Sequence, residues 1–531
     1  MAWSAGFITE LRAPMHRIEY TISTVLPLVG SAPGVAASFG GDDVVDYQEQ
    51  GDSVQTGSWQ SSLGSFSFTL LVDSRDVLAA WKRGTWLKVE ATINGVGPEV
   101  IRLGRISRMW SNEVGVVNVD CLDWVSSMST RPAASNPENL AMFTDTEATE
   151  AVTQVSGASS YTVNSGFLPQ TLSVVDASGF KKSSGGYGMV RVTDGTSGDV
   201  FYLQYDVVDT VANTLQIREE RGLGVTPPAG VIVTGSNVKH IAWIPDSHPL
   251  DTVKQIVTST GAGTNGADDQ LPATWSMGLD SSLVDTVDIG DQKAQASITG
   301  AYVWDLYAEQ EVGNSFTFLT NALAQGGFFI ANRQGLITAR TGVFPHTSGV
   351  PLSSIIIGDD DIEAVNGIEH DFFDPDITLQ AGGVKVIGNE TTVYDGGGVG
   401  GGPTIASHST SRTNGGTASF PARRYFHYRP AFVYAAATID DILIEIRDRL
   451  FGWAVQCPER VSLRCTGLRL AQLTVGDIVR VTSRDLIGRL ESGSGSFNER
   501  KGFVAHRTVI WEESRVELEI LFPPTEADVT S

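Results

Sequence analysis

Apolar and polar residues alternate along several short stretches of this chain, with the period of two that is expected of β-strands with one buried face. The clearest stretches are 66–72, 87–93 and 117–121 near the N-terminus, and 461–465, 503–511 and 516–522 near the C-terminus. Both ends of the chain are therefore predicted to form small strand-rich modules of barrel or sandwich type.

Helical spacing is confined to a few short segments. Leu250, Val253, Ile256 and Val257 share one face of a helix in which Ser247 is the predicted cap and Pro249 lies in the first turn. Further helices are predicted over 77–81, 316–324 and 438–452, the last with a capping-box-like start and Gly452 at its end. Helices should therefore be few.

Two hairpins are predicted between the end modules. The first has strands 200–208 and 214–217 joined by 209–213, and the second has strands 328–331 and 336–340 turning at 332–335. Ser, Thr, Ala and Pro dominate 131–160, and Gly and Ser dominate 395–425, so these segments are predicted to be a linker and a flexible surface loop.

The expected fold class is mainly β with a few short helices, in several domains. We predict an N-terminal module over 1–130, the linker over 131–160, an inserted β domain over 161–245, an acidic α+β middle domain over 246–394, the loop over 395–425 and a C-terminal module over 426–531. A length of 531 residues is consistent with this division, since domains average ~150 residues.

The net charge of the chain narrows the classes of macromolecule that it is expected to bind. The chain has 37 Lys and Arg against 61 Asp and Glu, a net charge of −24, which argues against a nucleic-acid reader built on a basic surface. Residues 246–400 hold 5 basic and 21 acidic residues, hence −16 of that total, whereas 426–531 is nearly balanced with 13 basic and 15 acidic residues. The middle of the chain is the acidic part.

The cysteine count and the absence of long apolar runs indicate the cellular compartment in which the chain folds. Cys121, Cys457 and Cys465 are too few to staple 531 residues, so buried thiols are expected, with a pairing of Cys457 and Cys465 as the alternative. No stretch reaches ~18 apolar residues, and the opening MAWSAGFITELRAPMHR lacks the apolar run of a signal peptide. We expect synthesis and folding in the cytoplasm.

Motifs for catalysis or cofactor binding are missing from their usual settings. The sequence has no G-x-S-x-G, no H-E-x-x-H, no paired cysteines at two-residue spacing and no Walker loop. G-x-G-x-x-G occurs at 261–266 and within 396–403, but neither copy joins a strand to a helix, as phosphate binding requires. We therefore expect no catalytic residue and no cofactor.

Metal sites are not expected either. The acidic run 359–376 offers carboxylates to a calcium ion, yet Ala364 stands where the calcium loop needs glycine, so a solvated acidic loop is favoured. The segment DGTSGD, 194–199, has the composition of a turn. His240, His248 and His506 show no metal-ligand spacing and are read as core or surface residues.

Sugar binding and glycoside cleavage stay open as alternatives. Trp243, Tyr202 and Tyr205 could form a platform for a sugar, although aromatic residues on strands are more often core. With 61 acidic residues a catalytic carboxylate pair is also conceivable, because the separations that matter are spatial.

Several segments resemble the tail hub proteins of tailed phages, also called baseplate hub or tail-tip proteins. The N-terminal resemblance lies in SWQSSLGSFSFTLL, GRISRMW and VNVDCLDWVSSMSTRP, and the C-terminal one in IDDILIEIRDRLFGW, LTVGDIVRVTS and FVAHRTVIWEESRVELEILFP. The hairpin GGFFIANRQGLITAR resembles a recurrent middle element of these hubs, and RGLGVTPPAGVIV resembles a small β module of phage tails. Together the segments cover about half of the chain.

The resemblance implies a non-enzymatic structural protein of the virion, made in the cytoplasm of the host bacterium. It implies a homotrimer that closes or adapts the distal end of a sixfold tail tube, contacts the tube or distal tail protein and the fibre or tip proteins, and lets DNA pass without specific binding during ejection. The alternatives are a receptor- or carbohydrate-binding tail-tip protein that reads its ligand through the insertion, and a cell-wall or polysaccharide hydrolase.

Overall fold

The structure is a computed structural model. It describes residues 3–24, 38–55, 59–72, 81, 83–123, 152–157, 161–163, 168–180, 182, 188–221, 230–259, 280–296, 304–308, 319–320, 323–324, 327–343, 345, 351–370, 383–393, 404–413, 425–428, 433–434, 459–487 and 496–522. Strands predominate in these residues, arranged in several sheets, and the helices are few and short. The predicted fold class is confirmed.

The N-terminal module is a seven-stranded antiparallel sheet preceded by a short helix. Helix α1, Ala5–Glu10, begins at Ser4, whose hydroxyl accepts the Phe7 N–H. The strands of this part of the chain are β1 Ile18–Thr24, β2 Ser38–Gly40, β3 Val44–Glu49, β4 Asp52–Gln55, β5 Gln60–Ser62, β6 Phe66–Leu71, β7 Trp86–Ile93, β8 Val96–Glu113 and β9 Val116–Asp123. The sheet has the order β2-β1-β7-β8-β9-β6-β3, and β4 and β5 leave it as a separate hairpin.

The insertion forms a second antiparallel sheet with its own core. Its strands are β10 Val152–Gln154, β11 Tyr161–Val163, β12 Gln170–Ser173, β13 Gly188–Thr193, β14 Val200–Asp209, β15 Thr214–Arg221, β16 Gly230–Ile232, β17 Asn237–Ser247 and β18 Trp304–Ala308. The order β12-β15-β14-β13-β17-β18 describes the main path, which we call the inserted sheet; β10 pairs with β17 beside this path, and β11 and β16 form a separate two-stranded sheet. Leu203, Ile217 and Val190 are among the side chains of its separate core.

Two helices and a hairpin follow. Helix α2, Pro249–Thr258, precedes a 3₁₀ turn at Ser281–Leu283 and helix α3, Thr286–Ala296. Strands β19 Phe328–Arg333 and β20 Leu336–Thr341 form the central hairpin. Its two-residue turn holds Gln334 and Gly335 at positive φ, which is the geometry that tight hairpins favour.

The C-terminal module is built from the last strands of the chain. The remaining strands are β21 Ile356–Ile357, β22 Ile362–His370, β23 Gly383–Val393, β24 Thr404–Thr413, β25 Tyr425–Tyr428, β26 Val433–Tyr434, β27 Glu459–Thr466, β28 Ile478–Ile487, β29 Ser496–Ile510 and β30 Arg515–Phe522. The module has the order β21-β28-β29-β30-β27-β22, and β23, β24 and β25 form a small separate sheet. Strand β26 pairs with β18 at the edge of the inserted sheet.

The two end modules share one strand order. In the N-terminal module five neighbouring strands run β7-β8-β9-β6-β3, and in the C-terminal module five run β28-β29-β30-β27-β22. Every pairing in both series is antiparallel. Each series is thus a three-strand meander whose last strand pairs with an earlier one, a connection of Greek-key type. They differ beyond this core, since β1 is antiparallel to β7 whereas β21 is parallel to β28.

A single hydrophobic core runs through both end modules. It includes Phe66 and Val119 from the first module and Leu463 and Ile520 from the second, each exposed by 2% or less. Because such burial is the main favourable term in folding, the two modules stabilise each other as parts of one body.

Most of the predicted strands and one helix are confirmed within the described residues. The strands near both ends, the two hairpins and helix α2 lie where the pattern placed them. Helix α2 begins one residue later than predicted, because Ser247 ends β17 and His248 is the cap, its Nδ1 accepting the Leu250 N–H at 3.2 Å. The helices predicted over 77–81 and 438–452 lie outside the described residues, apart from Trp81, and so does most of 316–324.

Three predicted loop segments contain strands. The acidic run 359–376, predicted to be a solvated loop, contains β22, Ile362–His370, which pairs with β27. Within 395–425, predicted to be a flexible loop, β24 pairs with β23 over Thr404–Thr413, where Thr and Ser can join a ladder. The predicted linker 131–160 ends in β10, which pairs with β17. The domain boundaries themselves stay predictions, although β21 and β22 of the C-terminal module lie before the predicted boundary at 426.

Candidate functional site

The site that organises the described molecule is the seam between the end modules. Here the β4–β5 hairpin leaves the N-terminal module and adds to the C-terminal sheet, with Ser53 opposite His506 and Asp52 opposite Arg507 on β29. The crossing is tight: a Cβ at Gly51 would overlap the Thr508 side chain and lie 2.6 Å from the Arg507 carbonyl oxygen. Glycine is required at this position by the close approach of two backbones.

A buried ion pair lies under the crossing. Arg102 on β8 donates to both carboxylate oxygens of Asp52 at 2.9 and 2.7 Å and to the Gly64 carbonyl at 2.6 Å. Both side chains are about as buried as side chains can be, 1% and 2% exposed. Burial alone would raise the pKa of Asp52, but the charge and hydrogen bonds of Arg102 outweigh burial and hold this pKa below its usual value.

Arg507 extends this network into the C-terminal module. Its guanidinium lies 4.0 Å from the Asp52 carboxylate and donates to the carbonyls of Ala471 and Leu473 at 2.8 and 2.7 Å. Burial raises the pKa of the nearby Glu49, although Arg102 and Arg507 oppose that rise. The C-terminal module therefore adds a second, more distant positive charge to the Arg102–Asp52 pair of the N-terminal part.

Aromatic packing fixes the central hairpin onto the crossing. The Trp59 ring, 1% exposed, stacks on Phe329 with 6.1 Å between centroids and meets Phe503 edge-on at 6.0 Å. A Cβ at Gly342 would overlap the Trp59 ring. Residues from the N-terminal module, the central hairpin and the C-terminal module thus meet around one indole.

A second ion network ties the central hairpin to helix α3 and the C-terminal module. Arg340 donates to both oxygens of Asp288 at 3.0 and 2.9 Å and to Asp477 at 2.7 Å. Burial would raise the pKa of Asp288, but Arg340 and then Arg333 outweigh it and lower this pKa. The hairpin turn also reaches the N-terminal module, where the Gln334 side chain accepts the Trp3 N–H at 2.9 Å.

An acidic contact closes the seam at its outer edge. Glu512, in the turn between β29 and β30, accepts the backbone N–H of Tyr47 on β3 and shares a hydrogen bond with the Asp46 carboxyl group. Ser514 of the same turn bonds His16 at 3.1 Å. His16, Glu512 and Ser514 border a cleft of about 460 Å³, open to solvent, that lies between the two modules.

No protein-family model and no curated protein matches the sequence. Three solved structures align over most of their own length. The first is a 43 kDa tail protein of a Shewanella oneidensis prophage, with 12% sequence identity, 95% of this chain and 98% of that chain covered, and a TM-score of 0.36. The second is a Neisseria meningitidis tail protein, with 10% identity, 94% of this chain and 96% of that chain covered, and a TM-score of 0.34. The third is a Listeria monocytogenes prophage tail protein, with 8% identity, 96% of this chain and 97% of that chain covered, and a TM-score of 0.32. Because each TM-score is below 0.5, these alignments establish neither a common fold nor a function.

Several of the acidic candidates make structural contacts in the part of the chain that the structure describes. Asp359 accepts the Arg484 N–H at 3.1 Å, and Asp361 pairs with Arg469 at 2.5 Å; residues 371–376 of the run lie outside the described part. Asp194 accepts the N–H groups of Thr196 and Ser197, as the turn prediction requires. In the described residues no group of three or more His, Cys, Asp and Glu side chains is arranged to hold a metal ion.

The aromatic, histidine and cysteine candidates are mostly core residues. Tyr202 and Tyr205 are buried, with exposures of 7% and 0%, so they form no sugar platform. Of the histidines, His240 and His248 are buried and His506 bonds Thr508 at 2.9 Å. Cys121 and Cys465 are buried free thiols, as expected. The side chain of Trp243, Cys457 and both G-x-G-x-x-G segments lie outside the described parts, in which no helix could span a membrane.

Sequence patterns did not reveal the seam residues. Arg102 lies between Ile101 and Leu103, both buried, so strand alternation fails there. An arginine between two inward apolar residues was the available signal for a buried ion pair, since buried arginine needs a partner. The identity of that partner, Asp52, is not readable from spacing.

Glu512 gives the seam a pH dependence that can be measured. Burial, then the neighbouring Asp46, raises its pKa above the ordinary 4.5. The folded protein therefore binds this proton more tightly than the unfolded chain, and stability falls as the pH rises from about the ordinary value through the raised one. We expect Glu512→Gln to raise the melting temperature at pH 8 and to lose this advantage below pH 4.5.

Thermal unfolding of both proteins across this pH range is the measurement. Glu513→Gln is the matched control: Glu513 lies in the same turn and is the smallest of the causes that raise the pKa of Glu512, and its replacement loses the bond to Arg515 at 2.5 Å, so it should give no comparable gain at pH 8. A Glu512→Gln protein that is less stable than the wild type at pH 8 contradicts the assignment.

Proposed function

We propose that this protein is a structural component of a phage virion, the hub at the distal end of the tail. The observation that carries the proposal is the common five-strand order of the two end modules, joined through one core. Three chains that each supply two similar modules present six in a ring, which lets a threefold object fit a sixfold tube. Closed symmetric rings are the usual form of homo-oligomers.

The charge of the chain is consistent with a passage for DNA. At −24 the protein repels phosphates, whereas basic residues would hold them on the wall. The proposed partners are two further copies of the chain, the tail tube or distal tail protein, and the fibre or tip proteins. The proposed location is the virion tail after synthesis in the host cytoplasm. This role requires no catalysis.

The oligomeric state and tube binding test the proposal. Light scattering on purified protein should give the mass of three chains, and electron microscopy should show particles attached to one end of isolated tail tubes. A monomer that does not bind tube ends would overturn the proposal. A cleared band in a cell-wall zymogram would instead favour the hydrolase alternative.

Receptor or sugar binding through the insertion is the second candidate. Burial of Tyr202 and Tyr205 removes two of its three proposed contacts. A chain lacking 161–245 distinguishes the two roles: the hub proposal expects this chain to lose neither trimer formation nor host adsorption, whereas the receptor proposal expects adsorption alone to be lost.

A further inference from the structure

The common strand order makes parts of the two modules equivalent. The two series are β7-β8-β9-β6-β3 and β28-β29-β30-β27-β22. The last strand of each, β3 and β22, is also the strand of its series that comes first in the sequence, so β3 corresponds to β22. The turn between the middle and last strands of the meander has the same place in both series, so the two-residue β8–β9 turn, 114–115, corresponds to the four-residue β29–β30 turn, 511–514. Each module therefore has one edge strand and one turn that match those of the other.

Among the described residues, only one of the two reciprocal contacts is seen within the chain. The β29–β30 turn lies against β3 and the segment before β1: Glu512 accepts the Tyr47 N–H of β3, and Ser514 bonds His16. The reciprocal pair is the β8–β9 turn and the β22 edge. Within the described residues β22 is the last strand of its sheet, and no strand pairs with its outer edge.

Both members of the second pair expose apolar groups. Val114 at the tip of the β8–β9 turn is fully exposed, and Leu71 beside it, opposite Val116 in the ladder, is 44% exposed. On β22, Val365 is 37% exposed. An open strand edge with an apolar side chain is a surface that proteins normally cover.

We propose that the β8–β9 turn of one copy of this chain docks on the β22 edge of the next copy. This contact repeats, between chains, the contact that the β29–β30 turn makes with β3 inside one chain. It is heterologous, with different surfaces on the two partners, and such contacts form a ring when the rotation closes. The inference rests on the proposed hub role and names the surface through which that ring would form.

A charge at the turn tests the contact. Val114→Asp places a carboxylate where the proposed contact buries the two methyl groups of Val114. We expect the concentration at which the trimer dissociates to rise at least tenfold, as measured by light scattering over a dilution series. The matched control is Val211→Asp, because Val211 is 94% exposed at the tip of the β14–β15 hairpin and lies outside the proposed contact. That control should remain trimeric, and circular dichroism should show that both variants are folded.

Cross-linking locates the contact directly. We expect Val114→Cys combined with Val365→Cys, on a Cys457→Ser background, to give covalent dimers and trimers with a short bismaleimide. Cys121 and Cys465 are buried and should not react. The combination Val211→Cys with Val365→Cys should stay monomeric on a denaturing gel.

The outcomes separate this inference from the hub proposal. A trimer that ignores Val114→Asp and gives no Val114–Val365 cross-link overturns the docking surface and leaves the hub role standing. A wild-type protein that is monomeric overturns both.

Discussion

Replacing Arg102 by leucine is expected to lower the free energy of unfolding by about 3–5 kcal/mol. The substitution leaves the Asp52 carboxylate, 2% exposed, without the guanidinium that donates two hydrogen bonds to it. Arg507, at 4.0 Å, compensates only in part because it already donates to two backbone carbonyls. Urea unfolding followed by tryptophan fluorescence is the measurement.

An exposed ion pair supplies the control for Arg102. Arg17 pairs with Glu19 at 3.0 Å, but the two side chains are 82% and 48% exposed, so Arg17→Leu should change stability by about 0–1 kcal/mol. The double variant Asp52→Leu with Arg102→Leu should recover part of the loss, because no buried charge is then left alone. A loss of stability from Arg102→Leu no larger than that from Arg17→Leu contradicts the role given to the pair.

Truncating Trp59 to alanine should cost about 3–5 kcal/mol. The indole is 1% exposed and fills the space between Phe329, Phe503 and the backbone at Gly342. Its loss leaves a cavity where three parts of the chain meet, so the central hairpin should also become sensitive to proteolysis at a lower urea concentration. Equilibrium unfolding and limited proteolysis measure the two effects.

Trp110 is the matched control for Trp59. Its ring is only half-buried and is covered by the Arg108 guanidinium at 4.5 Å. Alanine at this position should cost about 1 kcal/mol, the value of a cation–π contact near the surface. Equal losses from the two substitutions would show that Trp59 does not anchor the hairpin.

The strands of the end modules were predictable because burial on one face imposes a period of two, as Phe66, Phe68 and Leu70 show. The alternation fails where a strand is buried on both faces. Every residue of β20 is buried, including Arg340, so its place in a hairpin was readable but its role in an ion network was not.

The seam was beyond sequence patterns for a related reason. Asp52 and Arg102 are 50 residues apart, and Arg340 and Asp477 are 137 apart. Spacing along a chain carries no information on pairs so distant, because the fold, not the local period, brings them together. Strand-rich modules at both ends were predicted, whereas their common strand order and the crossing of β4 onto β29 had no local signal.

That crossing constrains how the chain can mature during synthesis. Strand β4 finds its partner in β29, and Asp52 and Arg507 are 455 residues apart, so at about 5–20 residues per second the ribosome needs roughly 20–90 s to deliver the second after the first. Until then the hairpin at 52–62 lacks the strand with which it pairs, and Asp52 has Arg102 as a partner but not the more distant Arg507. A nascent chain stalled before residue 507 should therefore hold an incomplete first module and depend on chaperones, and ribosome release rather than early collapse should set the time of its final folding step.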